Sequence, residues 1–508
     1  MVFSYLRRRA LALTARGPYE YTPLHGNDFQ SQRQRPAGWF NRNIVAIRLV
    51  LVLILSITIT LFSLGFMQSI ATQPCSGVSR DRHCRKEVAR SWGQYSSSFS
   101  VPSEISPSVP QGCEITFAQV LTRHGARDPT EHKSLAYGAV INRIHDNVTQ
   151  YGKDFQFIKD YKYTLGADQL TAYGEQQMVD SGINFYKRYQ DLASVNLPFL
   201  RASGQERVIE SGKRWAQGFH EARLGEGDPH VPDTYPYNIL VIPEEDGFNN
   251  SLSSNLCPAF EDGRYDSQDV QEAWLNRFIP PITERLNENL PGANLSDQEA
   301  IHLMDLCPFN TVANKKGKLS EFCYLFTVDE WHDYDYYQSL GKWYGYGNGS
   351  PLGPTQGVGF VNELLARLTG KAVTDHTTTN STLDESPLTF PLGRVLYADF
   401  SHDNDMVGIF AALGLHNLTE SLPGEQRISA PEAKGFSASW VVPFASRLYV
   451  EKMTCGGRDE EFVRMLVNDR IIPLQNCGVD GFGRCTLSKF VNSQSFARNG
   501  GHWDECFV

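Results

Sequence analysis

The chain has 508 residues, 41% hydrophobic and 20% charged, with 47 Lys and Arg against 57 Asp and Glu for a net charge of −10. With 42 Gly, 26 Pro and a single long apolar run, this composition excludes a collagen-like chain, a wholly disordered chain and a polytopic membrane protein. The acidic balance also argues against nucleic acid as a partner.

Residues 1–48 carry eight Arg and no Lys, set against Glu20 and Asp28, a local net of +6; taken from the total of −10, this leaves −16 for the remainder. Residues 49–67 then run for 19 positions without a charge, long enough as a helix to cross a hydrocarbon core of about 30 Å. The Arg excess precedes this run and the next charge after Arg48 is Arg80, so the positive-inside rule predicts a cytosolic basic tail at 1–48, a signal-anchor at 49–67 and an extracytosolic remainder. A secretory signal cleaved near Ala71 is the alternative, and it translocates the same residues. All ten cysteines (Cys75, Cys84, Cys113, Cys257, Cys307, Cys323, Cys455, Cys477, Cys485 and Cys506) lie beyond the apolar run, an even number with no C-x-x-C pair. So do six N-x-[ST] sequons, at Asn147, Asn249, Asn294, Asn348, Asn380 and Asn417. A glycosylated, disulfide-bonded ectodomain is expected.

Residues 68–112, rich in Ser, Pro, Gln and Gly, read as a stalk and an irregular N-terminal wrap. The run 115–122 is β-branched and apolar enough for a buried strand, and it stops at Arg123-His124-Gly125. A helix is predicted over 172–192, a strand over 197–201, a helix over 205–223 and a strand over 238–242. The stretch 266–345 differs: Ala273, Trp274, Phe278 and Ile282 recur at helical spacing until Pro280 and Pro281 intervene, and Ser296 with Glu299 forms a capping-box pattern. Strand character returns at 394–400, ends at Ser401-His402-Asp403-Asn404, and is followed by a helix over 405–413. Strands at 446–450 and in the two halves of 462–474, hinged at Asn468-Asp469, complete the pattern. Alternating strands and helices around a helical block predict an α/β domain with an all-α insertion. The run 345–349 is a loop rather than a nucleotide cradle, and no G-x-S-x-G is present, Gly435-Phe436-Ser437-Ala438-Ser439 missing it at the last position.

The chemically informative segment is Arg123-His124-Gly125-Ala126-Arg127-Asp128-Pro129 at the end of a buried strand, the place where open α/β sheets bind ligands. Two guanidiniums beside an imidazole suit a phosphate, whose oxygens they engage in planar bidentate fashion at any working pH. Gly125 allows a close backbone approach. A His among fixed cations stays neutral in acid, so His124 is placed to attack phosphorus.

This R-H-G-x-R-x-P motif, together with His402-Asp403, resembles the two signatures of the histidine acid phosphatases. The likeness is closest to fungal phytases of the ten-cysteine, 3-phytase type and runs from about residue 75 to 508. It is carried also by Leu165-Gly166-Ala167-Asp168, by Gly353-Pro354-Thr355-Gln356-Gly357-Val358-Gly359 and by Tyr397-Ala398-Asp399-Phe400-Ser401. The resemblance implies a histidine phosphatase-like α/β domain over 113–508: a mixed sheet flanked by helices, with the all-α subdomain inserted at about 266–345. It implies His124 as nucleophile, Arg123, Arg127 and Arg201 as phosphate ligands, His402 as a further one, and Asp403 as proton donor to the leaving oxygen. A carboxyl that keeps its proton in acid suits that last role. It implies the disulfides Cys75–Cys84, Cys113–Cys455, Cys257–Cys506, Cys307–Cys323 and Cys477–Cys485, of which spacing alone makes the first and the last two plausible. No metal or cofactor is implied, because the Arg cluster neutralises the transferring group.

The departures bear on substrate choice. Where such phytases carry a lysine-rich run, this chain reads Glu131-His132-Lys133-Ser134-Leu135-Ala136; Asp128 replaces an aromatic residue, and Gly341-Lys342 stands for a Lys pair. Lys153, Lys159, Glu261, Asp305, Lys342 and Asn404 are the candidate substrate contacts. The expectation is an acid phosphomonoester hydrolase acting through a phosphohistidine on phytate, with a broad-specificity acid phosphatase as the alternative and a non-catalytic, membrane-tethered binding protein as the rival from another class. The expected partners are inositol phosphates and, through one N-terminal helix, a membrane.

Overall fold

Strand β1 (Cys113–Arg123) is the axis of the structure, and its last seven residues are all buried. Its side chains alternate between two apolar clusters: Phe117 and Leu121 enter one, Ala118 and Val120 the other. On one side β1 pairs in parallel with β4 (Leu396–Ser401), which is buried throughout, and then come β2 (Phe199–Ser203) and β3 (Ile239–Ile242), also parallel. On the other side it pairs antiparallel with β5 (Arg447–Cys455), followed by β6 (Glu461–Val467) and β7 (Arg470–Ile471), with β8 (Arg484–Thr486) also on β6. The sheet order is thus β3-β2-β4-β1-β5-β6-β7. Central parallel strands buried on both faces read as continuous apolar runs, which is why 115–122 and 394–400 were legible. The predicted hinge at Asn468-Asp469 is the β6–β7 hairpin: both residues have positive φ, 48° and 69°, the backbone that a tight two-residue turn requires.

The computed structural model describes residues 82–225, 236–457 and 460–508, all in the compact unit Cys75–Val508. The predicted basic tail, the apolar run 49–67, the start of the 68–112 segment and Cys75 lie outside the described residues. Among the described residues no helix is long and apolar enough to cross a membrane.

Helices α1 (Glu131–Asn147), α2 (Ala172–Arg188) and α3 (Glu206–Leu224) follow β1 and β2. α1 was not predicted, although Tyr137, Val140, Ile141 and Ile144 give it a buried stripe at helical spacing. The helix predicted over 172–192 breaks at Tyr189, and the strand predicted at 197–201 lies two residues later. α2 and α3 pack together on one face of the sheet through Phe185, Trp215 and Phe219.

The insertion is all-helical: α4 (Gln268–Phe278), α5 (Pro280–Asn289), α6 (Asp297–Ala313) and α7 (Val328–Tyr346). Pro280, which lacks an amide hydrogen, starts α5 rather than interrupting α4. Ser296 and Glu299 form the expected capping box of α6, and Thr327 with Glu330 forms a second at α7. α8 (Val358–Thr369) and α9 (Asp403–Ala412) complete that face. The wrap preceding β1 is anchored by buried Trp92 and Tyr95 and by the Ser98 and Val101 amides, which donate to Phe444 O at 3.1 Å and Asn468 O at 2.9 Å.

Cys113–Cys455 ties the paired starts of β1 and the end of β5; Cys257–Cys506, Cys307–Cys323 and Cys477–Cys485 are also bonded. Cys84 is disulfide-bonded as well.

Candidate active site

Arg123 and Ser401 are level in the β1–β4 register, so His124 and His402 leave neighbouring parallel strands at the same carboxyl edge. The His124 amide donates to Ser401 O at 3.2 Å, and the loop is then pinned from α2 and α3: Gly125 N donates to Ser211 Oγ at 3.1 Å and Ala126 N to Gln177 Oε1 at 2.9 Å. A β-carbon on Gly125 would lie 2.4 Å from Gly174 O, and one on Gly174 would lie 1.9 Å from Ala126 O. The close approach expected of Gly125 is therefore to the first turn of α2.

His124 is buried, and its Nδ1 faces Gly125 O at 2.8 Å. A carbonyl only accepts, so Nδ1 carries the proton and Nε2 keeps its lone pair. Burial, then Arg123, Arg207 and Arg127, hold the imidazole pKa well below its usual value. The ring is therefore neutral in acid, with a lone pair among cations.

Arg123 donates from Nη1 to the carbonyls of Gln94 and, at 2.8 Å, Val442, while its Nη2 lies 3.3 Å from Asp403 Oδ1. Phe444 stacks on it at 4.6 Å. Arg127 donates Nη1 to Asp128 O at 2.7 Å. Arg207, on the first turn of α3, donates Nη1 to Asp168 Oδ1 at 3.3 Å. Burial, then repulsion from Arg127, lowers the pKa of Arg207 to about 10. Among the described residues, the buried Nε groups of all three guanidiniums have no hydrogen-bond partner. Three crowded cations with unspent donors around a neutral imidazole are complementary to a tetrahedral anion.

Arg201 is not among them, contrary to expectation. It sits within β2, level with Asp399 and so with Leu121 on β1, three residues and about 10 Å before His124. Its Nε donates to Asp399 Oδ1 at 2.9 Å and its Nη2 to Glu363 Oε2 at 2.6 Å, in a fully buried network that includes Arg367. Arg207 stands instead beside His124 and Arg127. The available signal was position: ligands meet residues beyond the carboxyl end of a strand, which Arg207 is and Arg201 is not. The Leu165–Asp168 segment supplies the acid that orients Arg207.

Asp403 opens α9. Burial opposes its charge, but Arg123 and Lys342, whose Nζ lies 2.5 Å from Oδ2, hold its pKa well below the usual carboxylate range. The expectation of a carboxyl protonated at rest is thereby corrected: the resting site holds Asp403 ionised in a cationic clamp. Lys342 Nζ also donates to Asn404 Oδ1 at 2.5 Å. His402 donates Nε2–H to Glu244 Oε1 at 2.9 Å, and its ring centroid stands 5.7 Å from that of His124.

A cleft of about 620 Å³ opens over this edge, lined by Arg127, Lys133, Arg207, Lys342, His402, Asp403 and Asn404 together with Gln94, Tyr95 and Gln338. Of the candidate contacts, only Lys342 and Asn404 line it. Asp305 is fully buried, accepting from Tyr137 and Tyr334 hydroxyls and from Lys133 Nζ at 3.2 Å, and so acts as an interior anchor for Lys133. Lys153, Lys159 and Glu261 are exposed and none lines the cleft. Gln94 and Tyr95 come from the wrap, a segment that no periodicity marks in the sequence.

The sequence profile of the Histidine phosphatase superfamily (branch 2) matches residues 114–468. A protein named Phytase A from Aspergillus oryzae is 49% identical over 465 residues, covering 90% of this chain and all of that one. Phytase A from Emericella nidulans is 50% identical, covering 86% of this chain and 95% of its own. The crystal structure of the phytase from D. castellii superposes with a TM-score of 0.65 at 21% identity, over 83% of this chain and 87% of that one. The chain belongs to branch 2 of the histidine phosphatase superfamily.

Proposed function

We propose that the protein is an acid phosphomonoester hydrolase that cleaves phytate through a phosphohistidine on His124. The observation that carries this reading is the His124 imidazole, its Nδ1 proton committed to Gly125 O and its Nε2 lone pair held neutral among Arg123, Arg127 and Arg207. The substrate class is supported by the relatives named Phytase A.

The three guanidiniums and His402 bind the phosphate oxygens. Nε2 of His124 forms a bond to phosphorus as the ester P–O bond breaks, and the leaving oxygen takes a proton from Asp403. Water then attacks phosphorus, the P–N bond breaks, and the water proton passes to Asp403. Because Asp403 is ionised at rest, its proton must come with substrate binding: an incoming phosphate draws Arg123 to itself, weakens one of the two cationic partners of Asp403, and raises the carboxyl pKa. Asp403→Asn is expected to reduce phytate turnover by about 10²–10⁴-fold, and turnover of an aryl phosphate with a good leaving group by much less. Equal losses in kcat for both substrates would remove Asp403 from leaving-group protonation.

The broad-specificity alternative is favoured by one observation: Lys133, a cleft cation, spends its Nζ on Asp305 and, at 3.0 Å, on Tyr95 OH. Turnover of phytate and of an aryl phosphate between about pH 2.5 and 6 discriminates. A higher kcat/KM for phytate is expected; aryl phosphate alone would select the alternative, and no phosphate release from either would leave the tethered binding protein. Four cystine bridges support maturation in an oxidising space. For the anchor at 49–67 against cleavage near Ala71, N-terminal sequencing of the mature protein decides.

A further inference from the structure

Two sequons distant in sequence meet in space. Asn348 follows the end of α7, and Asn417 lies just beyond the end of α9. Asn348 Nδ2 donates to Asn417 Oδ1 at 3.1 Å and points its other hydrogen toward Leu415 O at 3.5 Å. The two amides line one shallow depression with Asn476 and Gln494. The nitrogen and oxygen of an amide are about 2.2 Å apart, so the two Nδ2 atoms lie within about 5.5 Å of each other. That separation is comparable with the width of a single pyranose ring, and an N-linked glycan adds a branched, hydrated bulk at its root.

The amides are not equivalent. Asn417 is exposed and uses its Oδ1 as acceptor, so the clasp to Asn348 does not engage its Nδ2, which lies beside Gly414. Asn348 is only partly exposed and is the donor, so a glycan on its Nδ2 would replace one of the hydrogens that make the contact. Its turn is also packed tightly: Gly349 N donates to Trp343 O at 3.1 Å, and a β-carbon on Gly349 would stand 2.5 Å from the Trp343 ring.

We infer that Asn348 and Asn417 form a mutually exclusive glycosylation pair, in which Asn417 carries the glycan and the Asn348 amide braces its root. The inference rests on the extracytosolic reading of residues 68–508. The clasp joins the segments that follow the C-terminal ends of the two helices carrying Lys342 and Asp403, and a glycan on Asn417 leaves that contact intact.

The test is site-resolved occupancy of the full chain expressed in a eukaryotic host, by enzymatic deglycosylation in heavy-oxygen water and peptide mass spectrometry. Occupancies of Asn348 and Asn417 are expected to sum to no more than one per chain, with Asn417 dominant. A sum above one requires doubly modified molecules and overturns the exclusion; dominance of Asn348 overturns the assignment. Asn417→Gln is expected to raise occupancy at Asn348, and an Asn348 that stays empty in that variant would mean that its own bonding, not its neighbour's glycan, excludes the sugar. Asn147, exposed and with its side-chain amide donating to Arg143 O of its own helix, serves as control: a label there with none at Asn417 sinks the inference alone, whereas no label at any sequon sinks the extracytosolic reading with it.

Discussion

His124→Ala is expected to lower turnover of both phytate and aryl phosphate by at least about 10⁴-fold, because it removes the atom to which phosphorus is transferred. The three guanidiniums would remain, so phosphate should still bind as a competitive ligand, and the loss should fall on kcat rather than on affinity. Stopping the wild-type reaction in alkali, where a phosphoramidate survives, should trap label on His124 and none on the variant. The pH dependence of stability supplies a second readout. The folded-state pKa of His124 is depressed by burial and by Arg123, so below the unfolded-state value of about 6.5 the unfolded chain takes up a proton that the folded chain does not. Wild-type stability therefore falls as pH drops below about 6.5, and the variant lacks this contribution. The difference in denaturation midpoint between the two should shift in favour of the variant from pH 7 to pH 4.5. A midpoint difference independent of pH would show that the imidazole is protonated within the fold, and a protonated ring has no lone pair for the chemistry.

What the sequence made legible was whatever a continuous apolar run or a short rigid motif encodes. Strands β1 and β4 were visible because both faces are buried, and each ends at the polar residues that its geometry delivers to one edge. The capping box of Ser296 and Glu299 marked α6 because it satisfies orphan amides locally. The residues that escaped owe their position to pairing across the chain. Asp305 reads as a substrate contact until α1 and α7 bring Tyr137 and Tyr334 to it. Gln94 lies 29 residues before Arg123 and acts through its backbone carbonyl, which no side-chain motif can record. The ionisation of Asp403 is hidden in the sequence for the same reason, since it depends on Lys342, 61 positions away. Residue types disclosed the chemistry, and only the fold disclosed which partner each type had already taken.

That distinction makes Arg201 and Arg207, six residues apart, the sharpest pair of substitutions. Arg201→Ala would leave Glu363 without its guanidinium and strip one of the two arginines from Asp399, in a region with almost no exposure. Removing one partner of a buried ion network costs about 3–5 kcal/mol, because the charge left behind stays desolvated. The expected result is a large fall in the urea midpoint, with whatever folded fraction remains retaining its KM. Arg207→Ala should do the reverse. Arg207 is crowded by Arg127 and attracted by Asp168 at 3.3 Å and, without a salt bridge, by Asp403 and Glu244, with burial and repulsion prevailing, so its removal should leave the midpoint nearly unchanged. What it takes away is a donor aimed at charge that develops on the transferring phosphoryl group, a loss of about 10²–10³-fold in kcat/KM. Inorganic phosphate should inhibit the Arg207 variant more weakly, and the Arg201 variant as strongly as it inhibits the parent. A stable Arg201→Ala protein that no longer binds phosphate would return that arginine to the site and remove Arg207 from it.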